Sequence, residues 1–181
     1  MKTLQNICAV LVCLVMVTSC SPSLTPFTQD LYDNSNWSED DLKRIQFYVS
    51  EDIVLNREFT SGESAIQNGK IRIKNGKRIE EVVIRSGTAG VLMFIPKQNR
   101  FAISFEEGNE SPYLIFGPNP KINNRYALLA KEWKKYGGKV HYAGKLYNVE
   151  RSGAFASLLV DMDRIGETEY KRKVAEGRTV N

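Results

Sequence analysis

Three carboxylate pairs come nearest to a reactive constellation: Glu80-Glu81, Glu106-Glu107, and Asp161 with Asp163. Glycoside hydrolysis needs two carboxylates that face each other, about 5 Å apart or about 6.5–9.5 Å apart. Neighbours on a strand point to opposite faces, so the first two pairs do not face each other unless the strand is bulged. Asp161 and Asp163 share a face in a strand and suit a hard cation such as Ca²⁺, but no EF-like loop supplies further oxygen ligands. A solvated strand end explains them more simply, and no metal is expected.

The remaining catalytic residue types are scarce. His141 is the chain's single histidine, so a multi-histidine metal site is excluded and any triad has one possible base. On a strand it points away from Val140 and Tyr142, which share the other face. The three cysteines, Cys8, Cys13 and Cys20, all fall in the first twenty residues. Ser86-Gly87-Thr88-Ala89-Gly90 lacks the lysine of a P-loop and feeds a strand, so a tight turn or bulge accounts for its glycines. No catalytic set and no cofactor follow from these residues, and a non-enzymatic role is expected.

Flat rings beside cations form the best binding candidate. Trp133, Tyr136, Tyr142 and Tyr147 are interleaved with Lys131, Lys134, Lys135, Lys139 and Lys145. As a ligand-binding face, Trp133, Tyr136, Tyr142, Tyr147, Lys134 and Lys135 would stack on sugars or anchor a protein interface. The same rings serve equally as core and cross-strand pairs. Lys70, Arg72 and Lys74 line one face of a strand, either the wet face or a patch for acidic glycans, lipid headgroups or an acidic protein.

Charge separates along the chain. Residues 30–63 hold nine acids and three bases, whereas 64–104 and 121–151 each hold eight bases and two acids, within a formal net charge of +4. The bases form neither a run nor a nucleic-acid module, so no nucleic-acid partner is expected.

These residues must be positioned by a folded body, since 42% hydrophobic and 25% charged residues argue against disorder. Ser38 precedes Glu39, Asp40 and Asp41 and predicts a short helix start. Residues 45–50 and 53–59 read as β-rich. Alternating Lys70–Lys74, the turn Asn75-Gly76 and the return Lys77–Arg85 predict a hairpin. Further strands are expected at Val91–Ile95, stopped by Pro96; at Phe101–Phe105; at Tyr113–Phe116, ended by Gly117-Pro118-Asn119-Pro120; at Tyr126–Trp133; and at Phe155–Val160. Lys139–Tyr142 and Lys145–Val149 flank Ala143-Gly144 as a second tight hairpin. The fold class is mainly β: one antiparallel β-barrel or sandwich of about ten short strands with a short N-terminal helix, the barrel favoured because no long helix covers an open face.

The N-terminus reads as a targeting segment. Lys2 precedes an apolar run, Ile7–Val17, too short to span a bilayer, which takes about 20 residues. Val17-Thr18-Ser19-Cys20 follows and resembles the lipobox of bacterial lipoproteins, whose signal peptidase cuts before the cysteine and leaves it lipidated. The resemblance implies a signal peptide over 1–19, a lipidated Cys20 with a Pro/Ser tether over 20–28, and a single β-rich domain over 29–181; the alternative to the tether is an N-terminal strand edge, with Leu24 and Phe27 docked on the body. The mature body then carries no disulfide. With its β-rich body the chain is similar to the small envelope lipoproteins of Bacteroidetes-type bacteria. That likeness implies a membrane partner through the lipid anchor, in the outer membrane facing the periplasm because no acidic cluster follows Cys20. An envelope protein partner is expected, with a glycan or small-ligand binding module as the alternative and a carboxylate-based hydrolase as the least favoured reading.

Overall fold

The computed structural model describes residues 23–58, 70–74, 76–108, 111–134 and 137–165, with the backbone alone at 70, 72 and 74. The expected signal peptide over 1–19, Cys20, Asn75, Lys135, Tyr136 and the tail from 166 lie outside the described residues.

In chain order the elements are β1 (Leu24–Pro26), α1 (Gln29–Ser35), α2 (Glu39–Leu42), β2 (Phe47–Val49), β3 (Ile53–Glu58), β4 (Lys70–Lys74), β5 (Lys77–Ile84), β6 (Ala89–Lys97), β7 (Arg100–Ser104), β8 (Tyr113–Asn119), β9 (Arg125–Leu128), β10 (Lys131–Lys134), β11 (Gly137–Tyr142), β12 (Lys145–Glu150) and β13 (Leu158–Asp161). They build two antiparallel sheets. The seven-stranded sheet runs β1-β13-β2-β6-β7-β8-β9, and the six-stranded sheet runs β10-β11-β12-β3-β5-β4.

Alternation selects the inner faces. Ile53 and Leu55 on β3, Val82 and Ile84 on β5, Val140 and Tyr142 on β11, and Tyr147 and Val149 on β12 are all buried, while their neighbours are at least partly exposed. They join one core with Phe47, Leu92, Ile103, Leu114, Phe116 and Val160 of the facing sheet. An aromatic nest fills one part of that core, with Phe27 within 5.0–5.6 Å of Tyr126, Phe47 and Phe101, ring centre to ring centre. Isolated bridges, Thr28 to Arg125 and Ala127 to Ser157, curl the seven-stranded sheet back on itself. No ladder closes it, and the architecture is a sandwich rather than the favoured barrel. The second sheet supplies the cover that closure or a long helix would otherwise provide.

Several expected boundaries move. Of the tether expected over 20–28, Leu24–Phe27 belongs to the body instead, because Leu24–Pro26 pairs with β13 and Phe27 is fully buried. Thr28 caps α1, which was not anticipated, by accepting from the Leu31 N–H. Pro96 does not stop β6; it falls in the irregular register between Phe94 and Lys97, where a missing donor is tolerated. Pro118 does not end β8 either. The β7 ladder has ended at Phe116, and Tyr126 sends its N–H to the Phe27 carbonyl (2.9 Å), so no partner requires a donor from Pro118. The run from Tyr126 to Trp133 splits into β9 and β10, which belong to different sheets. The strand expected over Phe155–Val160 starts only at Leu158, Phe155 being the C-cap of a 3-10 turn over Arg151–Ala154.

Candidate functional site

The ring-and-lysine face is divided by the fold. Trp133 is 38% exposed on β10, the edge strand of its sheet, and Lys134 beside it is exposed. Trp133 lies over Gly138, where an added Cβ would stand 2.8 Å from the indole. Tyr142 and Tyr147, by contrast, are fully buried side chains of the inner face. They pair with each other edge to face at 6.2 Å. No common surface therefore carries Trp133, Tyr142 and Tyr147, while Lys135 and Tyr136 lie outside the described residues. The parity of β11 and β12 decides this, since Val140 and Val149 pull the two tyrosines inward with them.

Burial gives those tyrosines polar partners. Tyr147 donates its hydroxyl to Glu80 (3.0 Å), and the Arg57 guanidinium donates to the same carboxylate from β3. Glu80 is completely buried and Arg57 nearly so. The Arg57 guanidinium also sits 5.7 Å from the Tyr147 ring centre. Tyr142 donates to Glu106, which follows β7 in the opposite sheet. Burial pushes the Tyr147 hydroxyl up to about 12, with the Arg57 interaction opposing and Glu80 reinforcing the rise. Burial and the Glu106 hydrogen bond raise Tyr142 further.

One acid from each of two suspected pairs, Glu80 and Glu106, thus reaches the tyrosines. Glu80 has no solvent-accessible surface, which bars it from touching a substrate, and its charge is matched by Arg57. The network ties β3, β5 and β12 together and links β11 to the opposite sheet. Asp161 caps the turn that follows it, accepting from the N–H groups of Asp163 and Arg164 (3.2 and 3.4 Å). Among the described residues no three metal-ligating side chains converge. His141 is exposed on the outer face of β11, as its parity requires. Gly87 takes a φ of 77° in the turn before β6.

The more accessible candidate is the outer face of the seven-stranded sheet. Register aligns Val91, Ser104 and Tyr113 in one row and Phe94, Ala102 and Ile115 in the next. Ala102 and Ser104 are buried, whereas Val91, Phe94 and Tyr113 are each about 40% exposed. The rings of Phe94 and Tyr113 meet edge to face at 5.0 Å. The sequence signal was the run Val91–Ile95, apolar at both parities, which a one-sided strand does not require. On the other sheet, a polar depression of about 440 Å³ is lined by Asn56, Asn148, Glu150, Arg151 and Ser152. Among the described residues no helix is long and apolar enough to cross a membrane.

Compared with known protein families, characterised proteins and solved structures, the chain matches none of them.

Proposed function

We propose that the chain is a membrane-anchored, non-enzymatic envelope lipoprotein that serves as a protein-binding or assembly module. Its anchor is a lipidated Cys20, and its place is the outer membrane, facing the periplasm. The observation that carries the binding role is the exposed apolar patch of Val91, Phe94 and Tyr113, which spans two adjacent rows of the sheet. Clustered rings on a rigid sheet lose little side-chain entropy when covered, and such patches mark interaction surfaces. The lipobox-like Val17–Cys20 supports the anchor, because a multiply acylated cysteine holds firmly where one chain binds marginally.

A crosslinked pull-down from the native envelope tests the reading against two controls. Cys20→Ser is expected to leave the membrane fraction, and Phe94→Ser with Tyr113→Ser to lose the partner while keeping the anchor. Equal partner recovery from the Phe94/Tyr113 variant would overturn the role of the patch. A mature Cys20→Ser protein still bound to membrane would overturn the anchor. The glycan reading is favoured by a different observation, the polar depression around Asn56 and Asn148, whose amides and charges suit sugar hydroxyls. It predicts glycan binding that Asn148→Ala abolishes.

A further inference from the structure

Among the described residues β4 is one of the two edge strands of the six-stranded sheet, β10 being the other, and its sequence KIRIK alternates polar and apolar residues. Ile71 is 46% exposed and Ile73 is 78% exposed. Register sets Ile71 opposite Glu80 and Ile73 opposite Arg78. Both isoleucines therefore lie on the side of the sheet that turns inward at Glu80, yet they extend past the cover of the facing sheet.

The connection to β5 is two residues long, so Lys74 and Lys77 form the hydrogen-bonded pair beside it, and the pairing alternates from there. Lys70, Arg72 and Lys74 direct their backbone groups to β5. Ile71 and Ile73 turn theirs to the open edge, where no strand pairs with them among the described residues.

Charge decides what suits that edge. Residues 70–78 hold five cations (Lys70, Arg72, Lys74, Lys77 and Arg78) and no acid. Across the ladder, Glu81 stands opposite Lys70, but Ile79 faces Arg72 and Lys77 faces Lys74. Lys77 also reaches Glu58 at 3.0 Å. A second copy of this chain, pairing edge to edge, would set like charges against each other, which disfavours self-association. The complementary occupant is extended and acidic. Its backbone meets the free groups of Ile71 and Ile73, its apolar side chains cover the isoleucines, and its carboxylates lie along the cationic face.

We propose that β4 is an augmentation edge that takes up an extended acidic segment of a partner protein as an added strand. It lies on the opposite sheet from Phe94 and Tyr113 and stands independently of the outer-patch reading and of the lipid anchor.

The test titrates the detergent-solubilised full-length protein with a labelled acetyl-EVEVEVE peptide and its KVKVKVK counterpart, read by fluorescence anisotropy. The acidic peptide is expected to bind at least about ten-fold more tightly, with affinity falling as salt rises. Ile73→Pro removes the edge N–H without touching the ladder to β5, and is expected to weaken binding about ten-fold at an unchanged melting temperature. Arg72→Glu with Lys74→Glu keeps the edge intact and should reverse the peptide preference, which covers the case in which the proline variant does not fold. Equal affinity for both peptides, no binding, or unaltered preference in the charge-reversed variant would overturn the proposal. Adsorption of anionic phospholipid vesicles in place of the acidic peptide would overturn it as well.

Discussion

At the residue scale, the Arg57–Glu80–Tyr147 contact buries a charged pair together with its hydroxyl partner. A buried carboxylate is tolerable because a guanidinium and a hydroxyl compensate it. Arg57→Met removes the cation and is expected to cost roughly 3–5 kcal/mol by leaving Glu80 uncompensated. Adding Glu80→Leu should recover most of that loss, which urea midpoints of the single and double variants would measure. Ionisation gives a second prediction. The Tyr147 hydroxyl titrates near 12 in the fold against an ordinary 10.0, so the unfolded chain gives up its proton first. Its contribution is complete below pH 10 and is lost as pH rises toward 12, with Tyr142 and Tyr126 shifted in the same direction. Urea midpoints followed with tyrosinate absorbance should fall across that window, and a constant midpoint would refute the assignment. Sequence alone identified Glu80-Glu81 as a pair facing opposite ways but not which residue turns inward. Val82 and Ile84 share the side of Glu80, while Ile79 and Val83 share that of Glu81, so both parities look apolar.

At the element scale, local signals were legible where a side chain answers its own backbone. Ser38 forms a capping box with Asp41 on α2, and Ser38→Ala is expected to cost about 1 kcal/mol by thermal melt. The β11–β12 hairpin follows from Ala143 and Gly144, which take φ values of 49° and 70°. Pro96 and Pro118 misled for the opposite reason. Whether a strand needs a particular N–H depends on which neighbour lies beside it, and that neighbour is distant in sequence. For the segment before α1 the sequence left a tether and a docked strand edge open, and the pairing of Leu24 with β13 and the burial of Phe27 match the strand edge. Phe27→Ala should cost roughly 3–5 kcal/mol, far beyond what truncation in a solvated tether would produce. Denaturant unfolding of that variant separates the two.

At the scale of the whole molecule, the mainly β class was legible from turn spacing and alternation, but the sheet order was not. β13 lies between β1 and β2, and β12 lies beside β3, pairings that no short-range pattern encodes. The aromatic and lysine candidates failed as one face because two tyrosines share the parity of the core. Apolar surfaces left exposed, Phe94 with Tyr113 on an outer face and Ile71 with Ile73 beyond the cover of the facing sheet, became visible only when both sheets were assembled. One consequence of the assembly concerns mechanics. Leu24 stands opposite Asp161, so the chain enters the body beside the point where its last described strand leaves. Tension between the two ends opens the β1–β13 ladder rung by rung, rather than shearing its three pairs together, and then falls on Phe27. Single-molecule stretching should record a small, low-force first step before the main rupture, and Phe27→Ala should bring the two events together.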